Sequence, residues 1–278
     1  MNTIIKLLPF SCHFWILISS FLIFNVGAKP RKRKPKPPKT IFAQQCEEGS
    51  TLKVYRVKTA FSNAFIISQN EEAIVVDSGD PGSWRQIRRR IKKADLLGKV
   101  KMIFITHSHF DHAGGAKGLS DKLKVPVVIH RQDAEDLREG ITNVGVIKKI
   151  PWTGDAVAPW IKGAIKYQGI EAHIQLSQNI TQLNELEDIQ FNELEGFIRR
   201  LPGHTGGSSV LQLFCDDKTL VFTGDLMAAR GKKKGTIQKT FAQDWLALEF
   251  SYEAFLEMEP SLAFPGHGHA PIAGTHLK

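Results

Sequence analysis

Residues 104–115 read Phe104-Ile-Thr-His107-Ser-His109-Phe-Asp111-His112-Ala-Gly-Gly115. Three histidines and one aspartate fall within six positions, and imidazole and carboxylate are the usual protein ligands of divalent transition metals. The apolar run from Val100 to Thr106 precedes them and reads as a buried β-strand. A Gly-Gly pair and a helical pattern follow. The candidate ligands therefore sit on a loop leaving a strand, where sharp turns aim neighbouring side chains at one point.

Three more stretches end a predicted strand in a glycine and a candidate ligand: Leu201-Pro-Gly-His204, Phe222-Thr-Gly-Asp225 and Phe264-Pro-Gly-His267. Glycine allows the backbone to turn sharply at each. Upstream, Ala73-Ile-Val-Val-Asp77 reads as a buried strand closed by a carboxylate. His107, His109, His112, His204 and His267, with Asp111 and Asp225, are too many donors for one four-coordinate ion and suit two.

The order and spacing of these stretches resemble the metallo-β-lactamase-fold metallohydrolases over about residues 50–275. The resemblance implies an α/β fold, an αββα four-layer sandwich, with two divalent metal ions: Zn2+, or alternatively Mn2+ or Fe2+. It implies that His107, His109 and His204 bind the first ion, Asp111, His112 and His267 the second, and that Asp225 bridges both. Asp77 would stand behind the histidine loop, fixing it by hydrogen bonds. The activity implied is hydrolysis of an ester, thioester or lactone-type carbonyl by a hydroxide made available between two cations. Asp111 would orient that hydroxide and pass a proton to the leaving group. Bridging Asp225 resembles the glyoxalase II and lactonase-like branch better than the true β-lactamases, which lack that bridge. Glyoxalase II itself would need a C-terminal helical extension, and only a short stretch follows His267. β-Lactam hydrolysis and iron-dependent oxidation of the persulfide dioxygenase kind stay open as alternatives.

Around this frame, Thr51–Lys58, Ala64–Gln69 and Ala73–Asp77 are predicted strands, and Ser83–Leu97 a basic amphipathic helix. Helices are predicted at Lys117–Leu123, Gln132–Glu139 and Gln243–Met258. Further strands are predicted at Val125–His130, His173–Leu176, Asp188–Phe191, Phe197–Leu201, Ser208–Phe214, Thr219–Thr223 and Ser261–Phe264. Pro151-Trp152 and Pro159-Trp160 punctuate a stretch read either as a helical insertion near the site or as core. Met227–Trp245 is read as a basic loop, either a lid over the site or a solvated surface. His130 and His173 are read as packed or surface residues.

The chain of 278 residues has 37 basic and 28 acidic groups. Eight of the basic groups, Lys6, Lys29, Arg31, Lys32, Arg33, Lys34, Lys36 and Lys39, precede residue 40 with no acid among them, leaving 29 against 28 in the rest. A nearly neutral body argues against nucleic acid as partner and for a small-molecule substrate. Residues 1–28 carry an apolar run, Phe14 to Phe24, of signal-peptide length and read as a signal peptide or membrane anchor. Residues 29–40 read as a basic, proline-rich linker that permits membrane association, and 41–278 as the hydrolase domain. The protein is thus expected to be exported, periplasmic or secreted, or anchored to a membrane. Cys46 and Cys215, so far apart in sequence, are read as free buried thiols, and Asn179-Ile-Thr181 as a glycosylation sequon.

Overall fold

The strand Asn63–Gln69 is buried along its whole length, and its side chains alternate between two cores. Phe65 and Ile67 enter one, Ala64 and Ile66 the other. Leu52 and Val54 against Tyr55 and Val57, and Ile74 and Val76 against Ala73 and Val75, repeat the division. A sheet apolar on both faces must be covered on both, which dictates a layered sandwich.

A computed structural model describes residues 39–46, 49–143, 167–172, 174–176, 186–191, 194–231 and 234–277. Its elements run β1 (Thr40–Gln45), β2 (Thr51–Lys58), β3 (Asn63–Gln69), β4 (Glu72–Val76), α1 (Trp84–Lys93), β5 (Val100–Phe104), α2 (Phe110–Ala113), α3 (Ala116–Leu123), β6 (Val127–His130), α4 (Arg131–Glu139) and β7 (Ile174–Leu176). They continue with β8 (Leu186–Phe191), β9 (Leu194–Arg200), β10 (Ser209–Cys215), β11 (Lys218–Arg230), β12 (Lys234–Ile237), α5 (Trp245–Leu256), β13 (Leu262–His267) and β14 (Ile272–Ala273). The first sheet follows chain order from β1 to β7, antiparallel up to β4 and parallel from β4 to β7. The second is ordered β14-β13-β11-β10-β9-β8, with β12 on β11 and β11 parallel to β13. Both are mixed sheets.

Four layers follow from the cores. Ile87 and Ile91 of α1, Leu119 of α3 and Leu137 of α4 pack on the outer face of the first sheet. Between the sheets, Phe65 meets Phe222 and Phe264 at ring centroids of 5.4 and 5.7 Å, and Phe222 stacks on Phe264 at 4.5 Å. Leu248, Tyr252 and Phe255 of α5 cover the outer face of the second sheet with Val221 and Ala263. Gly118 lets α3 approach α1, since a Cβ there would meet the Trp84 ring at 2.5 Å. The expected αββα fold class is the one observed.

Three expectations are corrected. Cys46 and Cys215 are not free thiols: they form a disulfide with Cα atoms 5.5 Å apart. Sequence separation misled here because β1 lies on β2 at the edge of the first sheet, and both cysteines border the core between the sheets. The stretch after Asp225 is not an irregular loop: β11 runs on to Arg230 and returns through β12 as a hairpin, Met227 opposite Ile237. The α1 helix ends at Lys93, short of Leu97, with Asp95 in a left-handed turn. The leader at 1–28, most of the 29–40 linker, the Pro151–Trp160 stretch, His173 and the Asn179 sequon lie outside the described residues. Among the described residues no helix is long and apolar enough to cross a membrane.

Candidate metal centre

The site lies where β4, β5 and β6 of the first sheet end, the usual place for ligands in parallel sheets. Asp77 follows β4 with φ of 61°, a left-handed conformation that aspartate tolerates better than most residues. The turn aims its carboxylate at the next strand's exit. Oδ1 accepts from the Thr106 backbone N–H at 2.8 Å and from its hydroxyl at 3.0 Å, and Oδ2 lies 2.7 Å from His112 Nδ1. His112 Nδ1–H therefore donates to Asp77, leaving Nε2 for the cluster. His109 is oriented the other way round: Nε2 donates to the Asn143 carbonyl at 3.1 Å, and Nδ1 faces His204 Nε2 at 3.1 Å. His107 Nδ1 contacts the Thr106 hydroxyl at 3.1 Å, while its Nε2 is buried with no hydrogen-bond partner. Asp111 lies in the first turn of α2, and its backbone carbonyl accepts from the Ser62 hydroxyl.

The second sheet supplies three donors from three places. His204 follows β9, Asp225 lies inside β11, and His267 ends β13. Parallel pairing with a bulge at Gly224 brings the last two together. Asp225 Oδ2 stands 3.3 Å from His204 Nε2 and 3.1 Å from His267 Nε2, and Oδ1 is 3.2 Å from His112 Nε2. His267 Nε2 is also 3.3 Å from Asp111 Oδ2, and its Nδ1 donates to the Phe61 carbonyl at 2.9 Å. Gly266 is required for this approach: a Cβ there would lie 2.5 Å from the His112 ring and 2.7 Å from Asp225 Oδ1.

Burial holds His107 well below the usual imidazole range, helped by the neighbouring His112, His109 and His204. Burial also lowers His109, and it takes His204 down to about 3 against the pull of Asp225. Burial works against charge on His112 too, but Asp225, Asp77 and Asp111 outweigh it and hold this ring well above its ordinary value. Asp225 is held well below the carboxylate range because His267, His112 and His204 overcome the cost of its burial. Burial opposes charge on His267 as well, but Asp225 outweighs it and raises this ring. His107, His109 and His204 are thus neutral beside an ionised Asp225, the states that bind cations, while His112 and His267 would release a proton on binding one.

Among the described residues, three groups have donor atoms within 4.8 Å of one another: His107, His109 and His204; His107, His112 and Asp225; and Asp111, His112 and His267. A tetrahedral ion with bonds of about 2.0–2.1 Å puts its ligand atoms roughly 3.3–3.4 Å apart. The separations from 3.1 to 3.4 Å among His109, His204, Asp225, His112, His267 and Asp111 are of that size. Together with the orphaned His107 Nε2, they fit a metal site. The structure thus brings all seven candidate ligands to one place, with Asp77 behind them. His130 stands apart, its Nδ1 capping α4 through Gln132 N–H, and His269 and His276 are exposed. Thr106, Ser62, Asn143 and Asp133, which hold the ligand loops, had no signal of their own in the sequence; each bonds to a group distant in the chain, Thr106 to Asp77, Ser62 to Asp111, Asn143 to His109, and Asp133 to Ser108 and Gly207.

The family description "Metallo-beta-lactamase superfamily" matches residues 57–267. The chain belongs to the metallo-beta-lactamase superfamily. The "Probable metallo-hydrolase YqgX" of Bacillus subtilis is 25% identical over 212 residues, covering 74% of this chain and 85% of that protein. The human "Acyl-coenzyme A thioesterase MBLAC2" is 22% identical over 174 residues, 60% of this chain and 58% of its own. A metallo-β-lactamase with a HARLDQ motif from Cronobacter sakazakii superimposes with a TM-score of 0.59 at 18% identity, covering 77% of this chain and 75% of that one, and so shares the fold. Within the metallo-beta-lactamase superfamily this chain is a metallo-hydrolase with a His-rich metal site.

Proposed function

We propose that the chain hydrolyses an ester, thioester or lactone-type carbonyl with a pair of divalent cations, zinc being the ion these nitrogen and carboxylate donors suit best. One observation carries the reading: Asp225 lies within 3.3 Å of ring nitrogens from both histidine sets, His204 on one side and His112 and His267 on the other. His107, His109 and His204 would hold the first cation, Asp111, His112 and His267 the second, and Asp225 both. When bound, such a pair lowers the pKa of water toward neutrality and polarises a carbonyl oxygen.

The chain's own residues supply the rest. Asp111 is the more exposed of the two cluster carboxylates, at 12% against 7% for Asp225, so its Oδ2 can take a proton and return it to the leaving group. The Ser62 hydroxyl holds the Asp111 backbone in place. Burial of His107, His109, His112 and His204 keeps water from competing for their nitrogens.

The thioesterase activity in the name of the human relative supports a thioester among the candidate substrates. The near-neutral body supports a small molecule rather than nucleic acid. The Cys46–Cys215 disulfide supports export to an oxidising compartment, in line with a leader at 1–28 and a basic linker at 29–40. The test is metal analysis of the purified protein, then turnover of thioester, lactone, phosphodiester and β-lactam substrates before and after chelation. Thioester or lactone turnover lost on chelation and restored by zinc or manganese is expected; full activity in metal-free protein sinks the reading. Iron content with oxygen uptake would replace it by an oxidoreductase.

A further inference from the structure

We propose that Asp133 is a positioning residue that sets the gap between the two loops carrying His107, His109 and His204. The inference rests on the paired-cation reading above. Asp133 sits in the first turn of α4, is 2% exposed, and hydrogen-bonds to no histidine of the cluster. Its Oδ2 accepts from the Ser108 backbone N–H at 3.0 Å and from the Thr205 hydroxyl at 2.7 Å, and Oδ1 accepts from the Gly207 N–H at 2.7 Å. One carboxylate thus joins the loop between His107 and His109 to the loop after His204, across roughly a third of the chain.

Three features show that the carboxylate was accommodated there specifically. All three partners are donors, so an amide in its place would turn an N–H against an N–H. Gly207 leaves room for it: a Cβ there would lie 2.5 Å from Asp133 Oδ1. The start of α4 is itself anchored, because Arg200 donates to Gln132 Oε1 at 2.7 Å and to the Gly206 carbonyl at 2.9 Å. On the far side of Ser108, the Tyr167 hydroxyl donates to the Ser108 carbonyl at 2.6 Å. Both peptide groups flanking Ser108 are held, so the directions of His107 and His109 are set from behind. Asp77 does the corresponding job for the other cation group through His112 and Thr106. Each cation group is then backed by a buried carboxylate, with Asp77 also reaching His107 through the Thr106 hydroxyl.

The experiment is zinc titration of the full chain, stripped of metal, against a chromophoric chelator. His267→Ala and His204→Ala are used as backgrounds that isolate the first and the second cation group in turn. Asp133→Asn is expected to weaken zinc about 10- to 100-fold in the H267A background and to leave the H204A background unchanged within about twofold. Far-UV circular dichroism checks that each variant is folded. Should D133N fail to fold, Thr205→Val removes one bond to the same carboxylate and is expected to weaken the first group by roughly 3- to 10-fold. Unchanged affinity in the H267A background, or equal weakening in both backgrounds, overturns the proposal, since Asp133 would then serve the fold generally. Wild-type protein that takes up no zinc overturns the paired-cation reading instead.

Discussion

Four of the seven candidate ligands leave the first sheet on a single turn, His107 to His112, whereas the second sheet supplies His204 after β9, Asp225 inside β11 and His267 at the end of β13. In the first case one short loop already gathers the donors, and contacts from Asp77, Asn143 and Asp133 set their directions. In the second, position depends on register: β11 and β13 must pair in parallel with the bulge at Gly224 for Asp225 and His267 to meet. The first half is therefore a local device and the second a tertiary one, and the second should be the more fragile to changes in packing.

The largest expected effect tests the point where the halves meet. Asp225→Ala should lower turnover on the order of 10³-fold or more, because it removes a donor shared by both groups; steady-state kinetics at matched metal content would show it, and near-normal turnover would deny Asp225 its shared role. Phe222→Ala, in the core that presses the sheets together, should cost about 3–5 kcal/mol in urea unfolding. If register matters as argued, it should also weaken metal binding more than an equally destabilising change on the outer side of the first sheet. Replacing Cys46 and Cys215 by serine should cost about 2–4 kcal/mol while leaving metal content intact, since Cys215 ends β10 at the opposite end from Ser209. Loss of metal in that variant would show that the site depends on the bridge.

Asp77→Asn should weaken metal in the group of Asp111, His112 and His267 by about 10- to 100-fold, read by the same zinc titration. An even loss over both groups would show the first half to be less local than its sequence suggests. The smallest effect concerns His130, away from the ligands. Burial, with Arg200 and Arg131 nearby, lowers it to about 4 from 6.5. A histidine with a depressed folded pKa contributes stability that is full above the unfolded value and is lost as pH falls through the folded one. Between pH 7 and pH 5 the wild type should lose about 1 kcal/mol on this account, allowing for solvent screening, and His130→Gln should lose less. Equal losses in urea midpoints would place the acid sensitivity elsewhere.

Most strands and the helices α1, α3, α4 and α5 were legible because apolar alternation and helical periodicity report burial directly. The β1 strand was not, since its residues Thr40–Gln45 are only half covered at a sheet edge. Neither was the hairpin return through β12, where Lys234 and Gly235 look like loop residues until Arg230 and Lys234 are seen paired. The candidate donors stood out because each lies beside an apolar run and a glycine or a turn, local features of the sequence; for Asp225 the run proved to continue as strand past the donor.

The residues alone determined the donor types, the order of the donor-bearing stretches, and the apolar strands that precede them; that the strand carrying Asp225 runs on to Arg230 was not among them. Which donors share an oxygen, which carboxylate stands behind which histidine, and which cysteines pair were decided only in three dimensions. The physical reason is that a hydrogen bond such as Asp133 to Gly207, or a disulfide such as Cys46 to Cys215, joins residues whose separation along the chain carries no information about their separation in space.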